Sequence, residues 1–240
     1  MDDLIYGRNP VKEALKSGRN LREILISKKS SGISEILRLA KEKSVVVKFV
    51  DPKKFRSFKE NTQGVVAYCS AIRFSELFNV LDSLKKNNKI PFILICDHIK
   101  DPHNLGALLR TAYAVGVNCV ILPKRRTAPI NAIVEKASVG AINFLDICLV
   151  TNLVQTIKKL KELGIFVYCA DMKGDVFYEY NLKGPIALVV GSEGEGVSLL
   201  VKKSCDALLK IPMKNPIDSL NVSVAGAIIM YEISKQIFFK

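Results

Sequence analysis

The chain has 240 residues, 49% hydrophobic and 25% charged, with a formal net charge of +13. Such a length supports one or two domains with a real core, and no apolar run approaches the roughly 18 residues that read as a membrane span. The opening MDDLIYGRNP lacks the basic-then-apolar pattern of a signal peptide, so a cytoplasmic location is expected.

The first part of the chain alternates short elements. NPVKEALKSG predicts a helix ended by Gly18, and LREILIS a strand. SEILRLAKEK predicts an amphipathic helix, with Ile36, Leu37 and Ala40 spaced for one face. VVVKFV predicts a strand, Asp51-Pro52 the start of a short helix, and QGVVAYCS a strand. These elements make a small α/β domain over residues 1–70. Residues 71–89 then read as a linker, with helical apolar spacing in FSELFNVLDSL and a polar break at KKNNK.

From Ile90 apolar strands alternate with helices. PFILICD, VNCVILP, FLDICLV, IFVYCAD, PIALVVG and ALLKIP predict strands. NLGALLRTAYAVG, NAIVEKASVGA and TNLVQTIKKLKELG predict helices, the last capped by Thr151 and stopped by Gly164. A short helix near VSLLVKKSC and a closing helix from SLNVSVAGAIIMYEISKQI complete the pattern. Alternation of this kind implies a parallel sheet covered on both faces.

The charge is uneven. Residues 1–89 hold 19 Lys and Arg against 10 Asp and Glu, a balance of +9, while residues 90–240 hold 17 against 13, a balance of +4. A basic first part suits a polyanionic partner, most simply nucleic acid. The six cysteines form no C-x-x-C pair and fall mostly in strand-like runs, so they read as reduced, buried small hydrophobes.

Ligands of open parallel sheets bind beyond the carboxyl ends of the strands, and three unusual stretches fall there. In DHIKDPHNLGALLRTAYAVG, Asn104 stands where a helix N-cap is expected. Arg110 follows within the helix, among Leu108, Leu109 and Ala112; it reads either as a snorkelling side chain paired to an acid or as an anion clamp. His98 and His103 lie near Asp97 and Asp101, but Pro102 stiffens the turn and no H-x-x-x-H pair is present, so no metal is expected. The second stretch, IALVVGSEGEGVS, runs a strand into a glycine turn with two glutamates and no lysine, which is poor chemistry for a phosphate. The third, KIPMKNPIDSLNVSVAGAIIM, brings Ser219 and Asn221 into a helix rich in small residues, with Ser219 as an N-cap or a pocket group.

In this order and spacing, NLGALLRTAYAVG, VVGSEGEGVS and IPM…SLNVSVA resemble the three motifs of the SpoU branch of the SPOUT 2′-O-ribose RNA methyltransferases. LIYGRNPVKEAL and NTQGVVA resemble the substrate-binding domain of the RlmB-type members, which methylate a 23S rRNA guanosine. Thr62 stands where that type commonly has His before Gln-Gly. The resemblance implies an α/β fold: a SPOUT domain with a C-terminal trefoil knot over residues 90–240, behind a small L30e-like RNA-binding domain. It also implies a homodimer with S-adenosylmethionine in the glycine turn, a ligand without phosphate. By resemblance, Asn104, Arg110, Glu193, Ser219 and Asn221 are catalytic, with Glu193 and Asn104 orienting Arg110. Gly191, Ser192, Ile211, Met213 and Leu220 are cofactor contacts. The substrate so implied is 23S rRNA, with tRNA, or a non-catalytic role in rRNA binding, as the alternatives. A dinucleotide-binding enzyme is excluded, since the one glycine-rich turn follows a late strand rather than an early one.

Overall fold

The computed structural model describes residues 4–16, 21–58, 61–69, 74–216 and 219–239. The chain divides into two units, residues 1–73 with 129–136, and residues 74–128 with 137–240.

The first unit holds β1 (Leu4–Tyr6), α1 (Arg8–Lys16), β2 (Leu21–Ser27), α2 (Ser34–Glu42), β3 (Val46–Val50) and β4 (Val65–Cys69). Gly18, the expected helix stop, lies outside the described residues. Its sheet runs β1-β4-β2-β3, with β2 and β3 parallel and β4 antiparallel to both neighbours. Three residues of β1 were too few to register as a strand in the sequence. Pro52–Ser57 form a 3-10 helix, started by the Asp51 side chain accepting from Lys53 N at 2.8 Å. Val11, Leu15, Ile24, Ile26, Ile36 and Val65 fill a core between sheet and helices. Thr62 is buried, and its hydroxyl accepts from Gly64 N.

The second unit opens with α3 (Leu77–Lys86). This helix lies within the stretch expected as a linker, yet Leu77, Val80, Leu81 and Leu84 all enter the core of the unit. Then follow β5 (Phe92–Cys96), α4 (Pro102–Ala114), β6 (Cys119–Pro123), β7 (Asp146–Val150), α6 (Leu153–Glu162), β8 (Phe166–Val176), β9 (Ile186–Val190), α7 (Leu199–Ser204), β10 (Ala207–Lys210) and α8 (Val222–Phe238); α5 (Ala132–Ala137), between β6 and β7 in the chain, falls in the first unit but for its last residue. The six strands run in the order β10-β8-β9-β5-β6-β7, and every pairing is parallel. All residues of β5, β6 and β9 are buried, as apolar runs without alternation require. The helices α3 and α6 pack into one core cluster with Ile93, Ile95, Ile121 and Val189. Elsewhere in the unit α8 packs against α4, and Gly226 permits the approach: a Cβ there would meet Leu108 Cδ2 at 2.6 Å.

Helix starts differ from the sequence reading in two places. Asp101, not Asn104, caps α4, accepting from His103 N and Asn104 N at 3.1 and 3.2 Å. Asn152, not Thr151, caps α6 by accepting from Gln155 N at 3.0 Å. Asp, Asn, Ser and Thr are near-equivalent caps, so closely spaced candidates are decided by where the chain turns. Gly164 does follow α6 in a left-handed conformation, φ 78°. The cysteines are free thiols, five of them buried and Cys205 half-buried. Burial, followed by the charge of Asp97, pushes Cys96 up to about 12.

The strand read as IFVYCAD extends to Val176, because β10 pairs with it twice. Leu208 stands opposite Cys169 and Leu209 opposite Asp175. The residues between them bulge out of the ladder. Gly174 closes the bulge where a Cβ would lie 2.2 Å from Leu208 O and 2.3 Å from its carbonyl carbon. Gly174→Ala must therefore push β8 from β10. A loss of about 1–3 kcal/mol is expected, as for other overpacked sites, read as a fall in Tm; an unchanged Tm would show that the two strands part without cost.

Candidate active site

The carboxyl ends of β8, β9 and β10 surround a cleft of about 330 Å³. The bulge of β8 contributes Asp171, Met172 and Lys173; the turn after β9 contributes Gly191 to Gly196; the segment after β10 contributes Ile211, Met213, Ser219 and Leu220. Val222, Ala225 and Ile229 of α8 close its apolar side. All five residues expected to contact cofactor line this one cleft, as do Glu193 and Ser219.

The turn is tightly folded. Ser192 and Gly196 exchange backbone hydrogen bonds at 2.9 and 3.0 Å. Gly194 and Gly196 take φ of 85° and 68°, and a Cβ on Gly191 would fall 2.0 Å from the Gly196 carbonyl carbon. Glycine is thus demanded at Gly191 by close backbone approach and at the other two by backbone sign.

A smaller cleft of about 290 Å³ adjoins it, sharing Ser192, Glu193, Gly194, Glu195 and Val222, and adding Ile99, Lys100, Asp101 and Asn104. Between the clefts lies a closed set of hydrogen bonds. Asn104 Nδ2 donates to Glu193 Oε2 at 3.1 Å. Asn221 Nδ2 donates to Glu193 Oε1 at 3.0 Å and to Asn104 Oδ1 at 2.9 Å. Asn221 also caps α8, its Oδ1 accepting from Ser223 N at 2.9 Å and more weakly from Val224 N. Three of the expected catalytic residues are thereby joined. Ser219, expected as cap or pocket group, lines the cleft and leaves the cap to Asn221.

Arg110 stands apart. It is exposed on α4, lines neither cleft and makes no hydrogen bond or ion pair with another described residue. Six residues separate it from Asn104, which turns it about 120° around the helix axis from that side chain. Within the chain, Glu193 and Asn104 hold each other, not the arginine.

Residues 91–231 match the SpoU rRNA Methylase family, and residues 4–75 match the family described as RNA 2′-O ribose methyltransferase substrate binding. The chain belongs to the SpoU methylase family. It is 39% identical to YacO of Bacillus subtilis, placed by its name among TrmH-family tRNA/rRNA methyltransferases, over 98% of this chain and 96% of that one. The TrmH/SpoU tRNA modifying enzyme of A. aeolicus is 32% identical, with a TM-score of 0.57 over 66% of this chain and 84% of that one. The SpoU methyltransferase AviRb of Streptomyces viridochromogenes, solved with AdoMet, shares the fold at 21% identity, TM-score 0.64, over 98% of this chain and 90% of that one.

Two acids of this SpoU chain have roles that the sequence reading did not assign: Asp97, weighed there only as a metal ligand, and Asp171. Asp97 is fully buried at the end of β5. Its Oδ2 accepts from Ser198 N at 2.8 Å, tying the far end of the glycine turn to the central strand. Its Oδ1 lies 2.7 Å from Nδ1 of His98 and makes no well-directed hydrogen bond. Asp171 pairs with Lys202 of α7 in the wall of the larger cleft and accepts from Lys173 N at 2.9 Å. Burial pushes its pKa up, but Lys202 and Lys173 outweigh that and hold it below the ordinary carboxylate value. The pair is therefore intact at neutral pH and is lost as pH falls through the lowered value. An acid closing an apolar run, as in FILICD and VYCAD, was the available signal. Among the described residues, no three His, Cys, Asp or Glu side chains gather as a metal site.

The Asn221 cap separates two contributions. Asn221→Ala removes cap and cross-links together, and a loss of at least about 1 kcal/mol is expected from the cap alone. Asn221→Asp keeps the cap but sets a second carboxylate against Glu193. The paired carboxyls then have raised pKa values in the folded state, so this variant should regain stability as pH falls to about 3 and lose it again near neutrality. Equal Tm deficits at both pH values would show that Glu193 does not face position 221 in solution.

Proposed function

We propose that this chain methylates a ribose 2′-hydroxyl of RNA with S-adenosylmethionine as methyl donor. That it is an RNA methyltransferase of the SpoU family is the coarser statement and holds without the proposal. The finer reading takes a guanosine of 23S rRNA as acceptor and a homodimer in the cytoplasm as the acting form. No helix is long and apolar enough to cross a membrane among the described residues.

One observation carries the donor. The cleft at the ends of β8, β9 and β10 has the size of a small-molecule site, roughly 300–1,000 Å³, and its glycine turn offers carboxylates and no lysine. Such a turn suits a cation joined to a ribose and an adenine, and rejects a polyphosphate. AdoMet in the AviRb structure supports the same ligand. When bound, the sulfonium supplies an electrophilic methyl group. The chain's part is to hold the acceptor in line with it. Gly191, Ile211 and Leu220 meet the donor largely through backbone groups, with Ser192 and Met213 beside them in the cleft. Asn104, Glu193 and Asn221 keep the turn in shape, and Ser219 presents a hydroxyl at the rim. A guanidinium offers donors and no acceptor, so Arg110 serves as an anchor for phosphate and developing oxyanion rather than as a base. Its exposure on α4 leaves it free to meet the RNA.

In this reading residues 1–70 dock the RNA and residues 90–240 hold the donor, supported by the +9 and +4 charge balances. Exposed Val224, Ile228 and Tyr231 follow one stripe of α8 and support self-association. The trefoil knot belongs to the same proposal, supported by the family and by the close backbone approach at Gly191. A tRNA acceptor is the second reading, favoured by the 32% identity with the A. aeolicus tRNA modifying enzyme.

Ribose methylation mapped in 23S rRNA and tRNA, from cells with and without the chain, decides the acceptor; no change in either RNA would sink the proposal. Transfer should survive EDTA, and restoration of lost activity by a divalent ion would overturn the metal-free reading. In single-turnover assays Arg110→Ala should abolish transfer with cofactor affinity, by calorimetry, nearly unchanged. Arg110→Lys keeps the charge but loses the planar fork, and a fall on the order of 100-fold is expected. Near-normal transfer by the Ala variant would remove Arg110 from the mechanism.

A further inference from the structure

The loop that leaves β6 carries Lys124, Arg125 and Arg126 in succession, all three exposed. Among the described residues no carboxylate pairs with any of them. Nearby Lys100, by contrast, lies 3.9 Å from Glu195. Three adjacent exposed cations without counter-charge make a local positive field that an approaching anion meets first.

Their position is braced. β6 runs parallel to β5, with Ile95 opposite Ile121, so both strands end at one edge of the sheet. Lys124 N donates to Val150 O at 2.8 Å, carrying the ladder with β7 one step beyond the strand. Thr127 Oγ1 and Ala128 N both donate to Ile99 O, at 3.2 and 2.6 Å. Ile99 itself lines the smaller cleft with Asn104 and Glu193. Between these fixed points Arg126 adopts φ 60°, a left-handed conformation uncommon outside Gly, Asn and Asp. The loop is thus held on both sides, and it is bonded directly to the segment that forms the cleft wall.

We propose that Lys124, Arg125 and Arg126 form a phosphate clamp of the catalytic unit, gripping the RNA backbone next to the nucleotide being methylated. The guanidinium forks suit pairs of phosphate oxygens, and the lysine adds a mobile point charge. A clamp at this edge sets the register of the strand relative to the cleft, which a docking surface in the first unit does not do by itself. The inference rests on RNA being the substrate, and it adds a second RNA contact to the one assigned to residues 1–70.

The test uses the full chain and a transcribed 23S rRNA fragment, with affinity measured across a salt series. The loop variant carries Lys124→Gln, Arg125→Gln and Arg126→Asn, since asparagine accepts a left-handed backbone. A control carries Lys85→Gln, Lys86→Gln and Lys158→Gln, which removes the same charge from α3 and α6. Each phosphate contact contributes about one unit to the slope of log K against log salt. The loop variant should therefore lose about 2 to 3 units of slope, Arg125→Gln alone about 1, and the control less than 1. Calorimetric affinity for S-adenosylmethionine should stay unchanged in all three, which also reports an intact fold. An unaltered slope in the loop variant, or an equal loss in the control, would overturn the clamp. Failure of the unmodified chain to bind the fragment would overturn the 23S reading alone, and the same salt series on a tRNA transcript then decides the clamp by the same slopes; failure to bind either RNA would overturn both.

Discussion

The Glu193 carboxylate holds the site together. It accepts from Asn104, in the first turn of α4, and from Asn221, the cap of α8. Those three residues come from segments up to 117 positions apart, as the Asn104 to Asn221 bond measures. Both helices present their amino-terminal ends toward this point, where partial positive charge accumulates. An acid there is stabilised twice, by the amides that bond it and by the dipoles behind them. Because Glu193 is exposed, its charge keeps much of its hydration, and the desolvation that penalises buried ions is small. The acidic residue in the glycine turn is therefore first a fastener of the loop. Its compatibility with a cationic ligand follows from the same placement.

Asp97 plays the complementary part from below. It is fully buried, yet it takes the backbone N–H of Ser198 just past the glycine turn. The turn is thus clamped at Glu193 from outside and at Ser198 from the core. Between those points Gly194 and Gly196 take left-handed backbone conformations, and they fold the turn back so closely on Gly191 that a Cβ there would meet Gly196. On the opposite wall, the register jump between β8 and β10 brings Asp171 out of the ladder, and Lys202 neutralises it. The cleft is shaped by departures from regular pairing at three neighbouring strand ends, which is where parallel sheets leave polar backbone unsatisfied and available.

Much of this was legible in the sequence and some of it could not be. Unbroken apolar runs such as FILIC and IALVV identify buried parallel strands because no alternation is needed when both faces are covered. The membership of Gly191, Ser192, Ile211, Met213 and Leu220 in one cleft was implied by the family resemblance that their motifs carry. The caps did not follow: Asp101 displaced Asn104, which released the asparagine side chain for Glu193. A local rule could assign either residue, and only a partner 89 positions away decides between them. The length of β8 was hidden for a similar reason, since its second half is extended only because β10 returns to pair with it. Arg110 was read as facing an apolar stripe, but Leu108, Leu109 and Ala112 are buried around it while it remains in solvent.

Net charge summed over a unit proved a coarse guide to where an anion can bind. The balance of +4 over residues 90–240 hides a strong local contrast. Most of the acids near the clefts are spoken for: Glu193 by two amides, Asp101 by the start of α4, Asp171 by Lys202. Their fields are largely spent on groups within the chain. Arg110 and the three cations of 124–126 have no such partner among the described residues. At physiological ionic strength exposed charges act over about 8 Å, so an approaching polyanion responds to the unpaired residues at that range and not to the sum. A catalytic unit that is only mildly basic overall can in this way present a strongly positive edge, because its acids are paired within the chain and these cations are not.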